Sequence, residues 1–202
     1  MKKFITLALA LCMALSASVC AYAAEIDTDG GSGSTPVYLS STEDGTMEGE
    51  PSATAMSVTV PTALPMAMSQ TGDVTTADNC QIINNSYGAV RVKSVTISAE
   101  NGWRLTAFGD KSTLASEKVD SNKLGFAICI GDGEWAVTDS SNESAQALIS
   151  APIDGCYMSG AGNTSGNTVS VDYSAIVTPL SAPVTNANIA NVVFVIEWDT
   201  AA

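Results

Sequence analysis

From Met56 to the end of the chain, short runs of β-branched and aromatic residues alternate with clusters of Gly, Asn, Asp and Pro. Runs bounded by turn residues at this spacing are typical of antiparallel sandwiches and barrels. Examples are MSVTV, AVRVKSVTIS, LGFAICI, TVSVDYSAIVT and VVFVIEW. Only STLASEKVDSNK favours a short helix. The sequence therefore predicts an all-β, antiparallel two-sheet (Ig-like) β-sandwich over residues 56–202.

Three of these runs predict details of the strands. In LGFAICI the large residues share one parity and the small residues the other, so we expect one packed face and one face of small side chains. In AVRVKSVTIS the apolar parity changes at Lys93-Ser94, which predicts a β-bulge at that point. The last run, Val192 to Trp198, is apolar on both parities, which predicts a central strand or one whose second face is covered.

The N-terminus has the pattern of a secretory signal peptide. Lys2 and Lys3 precede an apolar run, and the small-residue site Ala21-Tyr22-Ala23 follows it. We therefore expect residues 1–23 to be a signal peptide cleaved after Ala23, and the protein to be secreted to the extracellular cell surface. The run is too short for a membrane-spanning helix, which needs about 20 residues, so no membrane partner is expected after cleavage.

Residues 24–55 are rich in Gly, Ser, Thr and acidic residues and contain no basic residue. Such a composition does not bury enough apolar surface to offset the entropy of ordering. We therefore predict a disordered acidic linker between the signal peptide and the sandwich. Within it, PVYLSS (residues 36–41) has β-propensity, and two interpretations stay open: a strand for an acceptor groove, or an apolar patch in a linker.

The charge and the missing histidine narrow the possible functions. The chain has a formal net charge of −13 and no His. Negative charge of this size repels nucleic acid and anionic lipid, so no nucleic-acid partner is expected. Without His, a Ser-His-Asp or Cys-His nucleophile and any zinc site that depends on imidazole are excluded. We expect no cofactor, no metal and no catalysis, and the alternative is a small glycan-active enzyme that uses paired carboxylates.

Three cysteines, Cys80, Cys129 and Cys156, remain after the predicted cleavage. Because their number is odd, we expect at most one disulfide among them. The pairing stays open.

The block from SVTVPTALP to SAENGWRL, with VVFVIEWD downstream, resembles small exported β-sandwich proteins of Gram-positive Firmicutes. Trp103-Arg104-Leu105 is a Trp-x-Leu, and Trp198 lies near the C-terminus, which is similar to WxL-domain proteins that bind peptidoglycan noncovalently. The second position reads Trp198-Asp199-Thr200 and lacks the Leu. The chain is also similar in part to TasA-like matrix proteins, in which an N-terminal segment completes a neighbour's sheet; PVYLSS would be that segment here.

These resemblances imply a noncatalytic structural or binding protein of the cell surface or extracellular matrix. Its partners would be a cell-wall polymer, other surface proteins or further copies of itself. Wall or glycan binding would use Trp103, Leu105 and Trp198. Self-association would use β-augmentation, in which a strand of one copy pairs with a sheet edge of another.

Overall fold

The computed structural model describes residues 22–25, 28–36 and 55–200. In this part of the chain, nearly all regular structure is β-strand, with one helical turn, α1 (Ser112–Ala115). The strands are β1 (Tyr22–Glu25), β2 (Ser32–Pro36), β3 (Val58–Pro61), β4 (Met66–Met68), β5 (Val74–Thr76), β6 (Gln81–Asn84), β7 (Val90–Ala99), β8 (Arg104–Leu105), β9 (Lys123–Ile130), β10 (Ala136–Val137), β11 (Ala145–Ile149), β12 (Tyr157–Met158), β13 (Thr168–Val177) and β14 (Ala190–Trp198).

Two sheets form the sandwich. Sheet 1 has the strand order β1-β3-β6-β13-β9-β10, and β8 pairs with β9 in parallel. Sheet 2 has the order β11-β7-β14-β2, and β12 also pairs with β7. The β4–β5 hairpin is separate. Apart from β8, the pairings among the described strands are antiparallel, which confirms the predicted all-β antiparallel sandwich.

The core is one cluster of buried side chains contributed by both sheets. The four large residues of β9 belong to it, whereas Gly125, Ala127 and Cys129 lie on the other face of the strand. This confirms the predicted division of β9 into a packed face and a small-residue face. In β14, Val192 and Phe194 are among the residues that point into the core.

The predicted bulge in β7 is present. Val195 of β14 pairs with Ser94, but the next residue, Ile196, pairs with Val92. Lys93 is therefore the extra residue, and it is exposed. The bulge keeps the apolar residues on both sides of it directed into the core, as the parity change requires.

The Asn101-Gly102 pair is a sequence typical of a β-hairpin turn, and it forms a tight turn here but does not close a hairpin. Both residues have positive φ, at 50° and 84°, and the N–H of Trp103 donates to the carbonyl of Glu100 at 2.9 Å. These are features of a tight turn of the hairpin type. The chain nevertheless passes from sheet 2 to sheet 1 here, since β7 pairs with β14 while β8 pairs with β9. Local turn geometry does not determine which sheet the next strand joins.

Two strands precede residue 56. β1 contains the predicted cleavage site after Ala23 and pairs with β3. β2 lies within the segment interpreted as a linker and pairs with β14, which is therefore a central strand, as predicted. Residues 1–21 and 37–54 lie outside the described residues, so only Pro36 of the PVYLSS segment is described, as the last residue of β2.

Candidate functional site

The contact between β2 and β14, together with the turn before β2, is called the N-terminal seam here. β14 pairs with β2 from Asn191 to Val195. The seam continues beyond the strand: the N–H of Ile196 donates to the carbonyl of Gly31 at 3.1 Å, and the N–H of Trp198 donates to the carboxylate of Asp29 at 3.0 Å. The N-terminal segment thus satisfies backbone groups along most of this edge of β14.

The contacts of the seam that the structure describes are made largely by backbone groups. The sequence of β2, SGSTP, contains no large apolar residue, and Gly33 is buried. Because antiparallel hydrogen bonds alternate along a ladder, the bond at Gly31 places Gly33 in a hydrogen-bonded pair with Phe194. Pro36, which has no N–H, falls at a position that faces away from β14, where proline is tolerated.

The other side of β14, against β7, is tied by charged side chains as well. The guanidinium of Arg91 lies 2.8 Å from the Oε1 of Glu197, and the Nζ of Lys93 lies 3.0 Å from its Oε2. The hydrogen bond from Lys93, followed by that from Arg91, holds the pKa of Glu197 below its ordinary value. Asp199 adds a weaker pair with Arg91 at 3.5 Å.

The three candidate wall-binding residues do not form one site. Trp198, at the end of β14, pairs with Val90 at the start of β7, whereas Trp103 follows the end of β7. Since a strand rises about 3.3 Å per residue, the length of β7 places the backbones of the two tryptophans about 30 Å apart. Leu105 is buried in the core.

Both tryptophans pack partly against the core. The ring of Trp198 covers Gly88 so closely that a Cβ added there would lie 2.8 Å from the ring. Trp103 contributes to the wall of a cleft of about 700 Å³. That cleft is therefore the part of the structure in which Trp103 can meet a ligand.

The cleft lies between the β4–β5 hairpin and the segment of residues 179–189. Met66 and Met68 line it from the hairpin, with Leu180 and Ile189 among the residues opposite. The base of the hairpin is held by Tyr173, whose hydroxyl donates to the carbonyl of Pro65 at 2.6 Å. Burial raises the pKa of Tyr173 to about 12, so this donor stays protonated.

Paired carboxylates do not face this cleft. Its ionisable lining residue is Lys111, which is paired at 2.6 Å with Asp73. Among the described residues, no group of three or more His, Cys, Asp or Glu is arranged to hold a metal ion. The cleft therefore gives no support to the glycosidase alternative, which needs two opposed carboxyl groups.

None of the three cysteines pairs with another of them. Cys80 is disulfide-bonded, and both Cys129 and Cys156 are free thiols. The number of disulfides among the three is therefore zero, within the predicted limit of one. The chain's other cysteines, Cys12 and Cys20, lie outside the described residues and precede the predicted cleavage site. Spacing along the chain carries no information about which thiols meet.

The most exposed tryptophan is Trp135, which the sequence did not single out as a binding residue. It is 52% exposed, and Val137 is exposed to a similar degree. The run EWAVT contained a usable signal: Trp135 and Val137 share one parity, and the small residue between them, Ala136, packs against the core. In a strand at a sheet edge, that pattern directs the large residues outward.

Comparison with protein-family models, with curated protein sequences and with solved structures finds no match. Within the described residues, no helix has the length and apolar character that a membrane crossing requires.

Proposed function

We propose that this chain is a noncatalytic, exported structural protein of a Gram-positive cell surface or matrix, and that it self-associates by giving β2 to the sheet of a neighbouring copy. The observation that supports the proposal is the N-terminal seam. One edge of β14 pairs with β2, a strand that precedes the sandwich domain in the sequence. This is the arrangement that β-augmentation uses, because main-chain bonds supply the affinity.

The connection between β2 and the sandwich domain is long enough for exchange. Residues 37–57 separate β2 from β3, and an extended chain of that length reaches at most about 70 Å. A domain of this size is about 40 Å across. The length therefore permits β2 to pair with β14 of its own chain or of an adjacent one.

An open β14 would be a strong acceptor. Its side chains alternate between the core and an outer face on which Val193 and Val195 are half-buried. Without β2, the strand would present unpaired N–H and C=O groups next to these apolar residues, which is the template for pairing with another chain. A copy whose own β2 pairs with a neighbour therefore has an unpaired β14 edge, which can bind the β2 of another copy.

A mixed cross-linking experiment tests whether β2 is exchanged. Ser32 pairs with Val195 in the ladder, and by the alternation above it is a non-hydrogen-bonded pair, in which Cα atoms lie close enough for a disulfide. One preparation carries Ser32→Cys and a second, size-tagged preparation carries Val195→Cys. After mixing under oxidising conditions, we expect a covalent heterodimer, seen as a new band on a non-reducing gel.

The matched controls decide between exchange and closure within one chain. The double variant Ser32→Cys/Val195→Cys reports pairing of either kind, and Ser32→Cys mixed with Ser174→Cys, on sheet 1, reports random collision. Self-association through β2 is rejected if three results occur together. The double variant closes only within its own chain, the mixture gives no heterodimer, and the wild type sediments as a monomer at about 100 µM.

A further inference from the structure

The outer face of sheet 1 presents an aromatic ring far from the N-terminal seam. Trp135, which immediately precedes β10, and Val137 within β10 are both exposed, and β10 pairs with β9. Exposed apolar groups that lie together on a folded domain mark interaction sites. An exposed indole is suited to this use because it offers a large flat surface and loses little rotational freedom on binding.

Strand register places a carboxylate on the same row as the ring. Ala136 pairs with Ile128. Continuing this antiparallel register by one residue places Trp135 opposite Cys129. Cys129 in turn pairs with Asp172 of β13. Cys129 is small and buried, whereas Asp172 is exposed. Two strand spacings separate Trp135 from Asp172, which is about 10 Å. The indole and the carboxylate thus lie at the two sides of one row of the sheet, called the floor here, and Cys129 is buried beneath the turn between them.

The turn that carries Trp135 is held rigidly. The thiol of Cys129 donates to the carbonyl of Gly133 at 3.1 Å, and the N–H of Gly133 donates to the carbonyl of Ile130 at 3.1 Å. A Cβ added at Gly131 would lie 2.7 Å from the carbonyl oxygen of Gly155, and one at Gly133 would clash with Asp154. Because the two loops touch backbone to backbone, the backbone of the turn that precedes Trp135 is positioned before any ligand arrives.

The polar side of the floor is acidic, and its carboxylate is held by a hydrogen bond. The hydroxyl of Ser170 lies 3.1 Å from the Oδ2 of Asp172 and donates to it. Burial, then the charges of Asp172 and Asp132, raise the pKa of Cys129, which agrees with both carboxylates lying beside the floor. An anionic ligand is disfavoured here, while a neutral ligand with hydroxyl donors is complementary to the carboxylate oxygens.

We infer that this face, with Trp135 and Asp172 as its contact residues, is a binding site for a neutral glycan. The apolar C–H face of a pyranose ring stacks on the indole, and hydroxyl groups of the next sugar donate to Asp172. Two consecutive sugars of an extended chain span the distance between the two groups. This inference is independent of strand exchange, because neither β2 nor β14 contributes to the face.

Titration calorimetry with cellohexaose and chitohexaose as neutral probes tests the site, with hexagalacturonate as the anionic comparison. We expect both neutral probes to bind and the anionic one to fail. Trp135→Ala should weaken binding by about tenfold, while Trp135→Tyr, which keeps an aromatic face, should retain most of it. Asp172→Asn should produce a smaller loss. Tyr157→Ala removes an exposed aromatic residue of sheet 2 and should bind as the wild type does.

Three results would overturn the inference. The first is that neither neutral hexasaccharide binds the wild type. The second is that Trp135→Ala binds as tightly as the wild type while its thermal unfolding is unchanged. The third is that Trp135→Ala abolishes self-association in sedimentation, because the face would then be occupied by another copy of the chain.

Discussion

The two neighbours of β14 differ in how they hold it. β7 pairs with β14 along its whole length, contributes alternate residues to the core and adds the Arg91 and Lys93 ion pairs with Glu197. β2 pairs only from Asn191 to Val195 and has a sequence of small residues. The first edge is therefore specified by side chains, whereas the second relies mainly on backbone hydrogen bonds.

The difference indicates which edge can be exchanged. A backbone ladder accepts any extended segment of suitable shape, while packed side chains accept one partner. Net hydrogen-bond contributions to stability are about 1 kcal/mol each, and a buried large side chain contributes more. Loss of β2 should thus leave the sandwich folded, and loss of the β7 contact should not.

The largest effect is expected from Phe194→Ala. Phe194 is fully buried in the core, and truncating a buried Phe costs about 3–5 kcal/mol in the free energy of unfolding. Chemical denaturation followed by circular dichroism measures it. Val193→Ala, on the half-buried outer face of the same strand, is the matched control. A loss at Phe194 no larger than that at Val193 would mean that the core does not fix β14.

The second effect concerns the end of β14. Gly88→Val places side-chain atoms where the ring of Trp198 now lies, and overpacking of this kind costs about 1–3 kcal/mol. Gly109→Val is the control, because a Cβ at Gly109 meets no atom within 4 Å. Equal denaturation midpoints for the two variants would show that the Trp198 contact is not tight.

The third effect separates folding from assembly. Gly33→Pro removes an N–H that bonds to β14, so the expected cost is about 1 kcal/mol, with loss of self-association in sedimentation velocity. Ser34→Pro introduces the same ring at a position whose N–H faces away from β14, and it should assemble normally. If Gly33→Pro assembles as the wild type does, β2 is not the associating strand.

The smallest effect is the pH dependence of the stability that the ion pairs between β14 and β7 contribute. The pKa of Glu197 lies below its ordinary value of 4.5 in the folded state, so the unfolded state binds a proton more readily. The stabilisation is complete above pH 4.5 and is lost as the pH falls through the lower folded-state pKa. Denaturation of wild type and Glu197→Gln at successive pH values should show a difference that shrinks on acidification. A constant difference would contradict the ion-pair origin.

Several features of the fold were predictable because they depend on local alternation. The two faces of β9, the bulge at Lys93 and the central position of β14 all follow from the parity of apolar residues, which any burial on one side must respect. The turn at Asn101-Gly102 was predictable for the same local reason, but the hairpin was not, because the partner of the following strand is chosen by distant residues.

The candidate sites were harder to predict. Trp103 and Trp198 were selected by their sequence context, yet their half-buried positions at opposite ends of β7 are set by the packing of both sheets. Trp135 belongs to no binding motif, and the parity that it shares with Val137 indicates only its outward direction. Its position on the same row of the sheet as Asp172 depends on β13, which follows more than thirty residues later in the chain.

The sequence by itself determined the fold class and the inward or outward direction of most strand residues, because alternating hydrophobicity is a local property and its burial dominates the energetics. Only the tertiary structure decided that Ser32–Pro36 completes the edge of β14, that Cys80 does not pair with Cys129 or Cys156, and which tryptophan faces solvent. Each of these depends on strand order, and main-chain hydrogen bonds, being the same for every residue, leave no trace of their partner in the sequence.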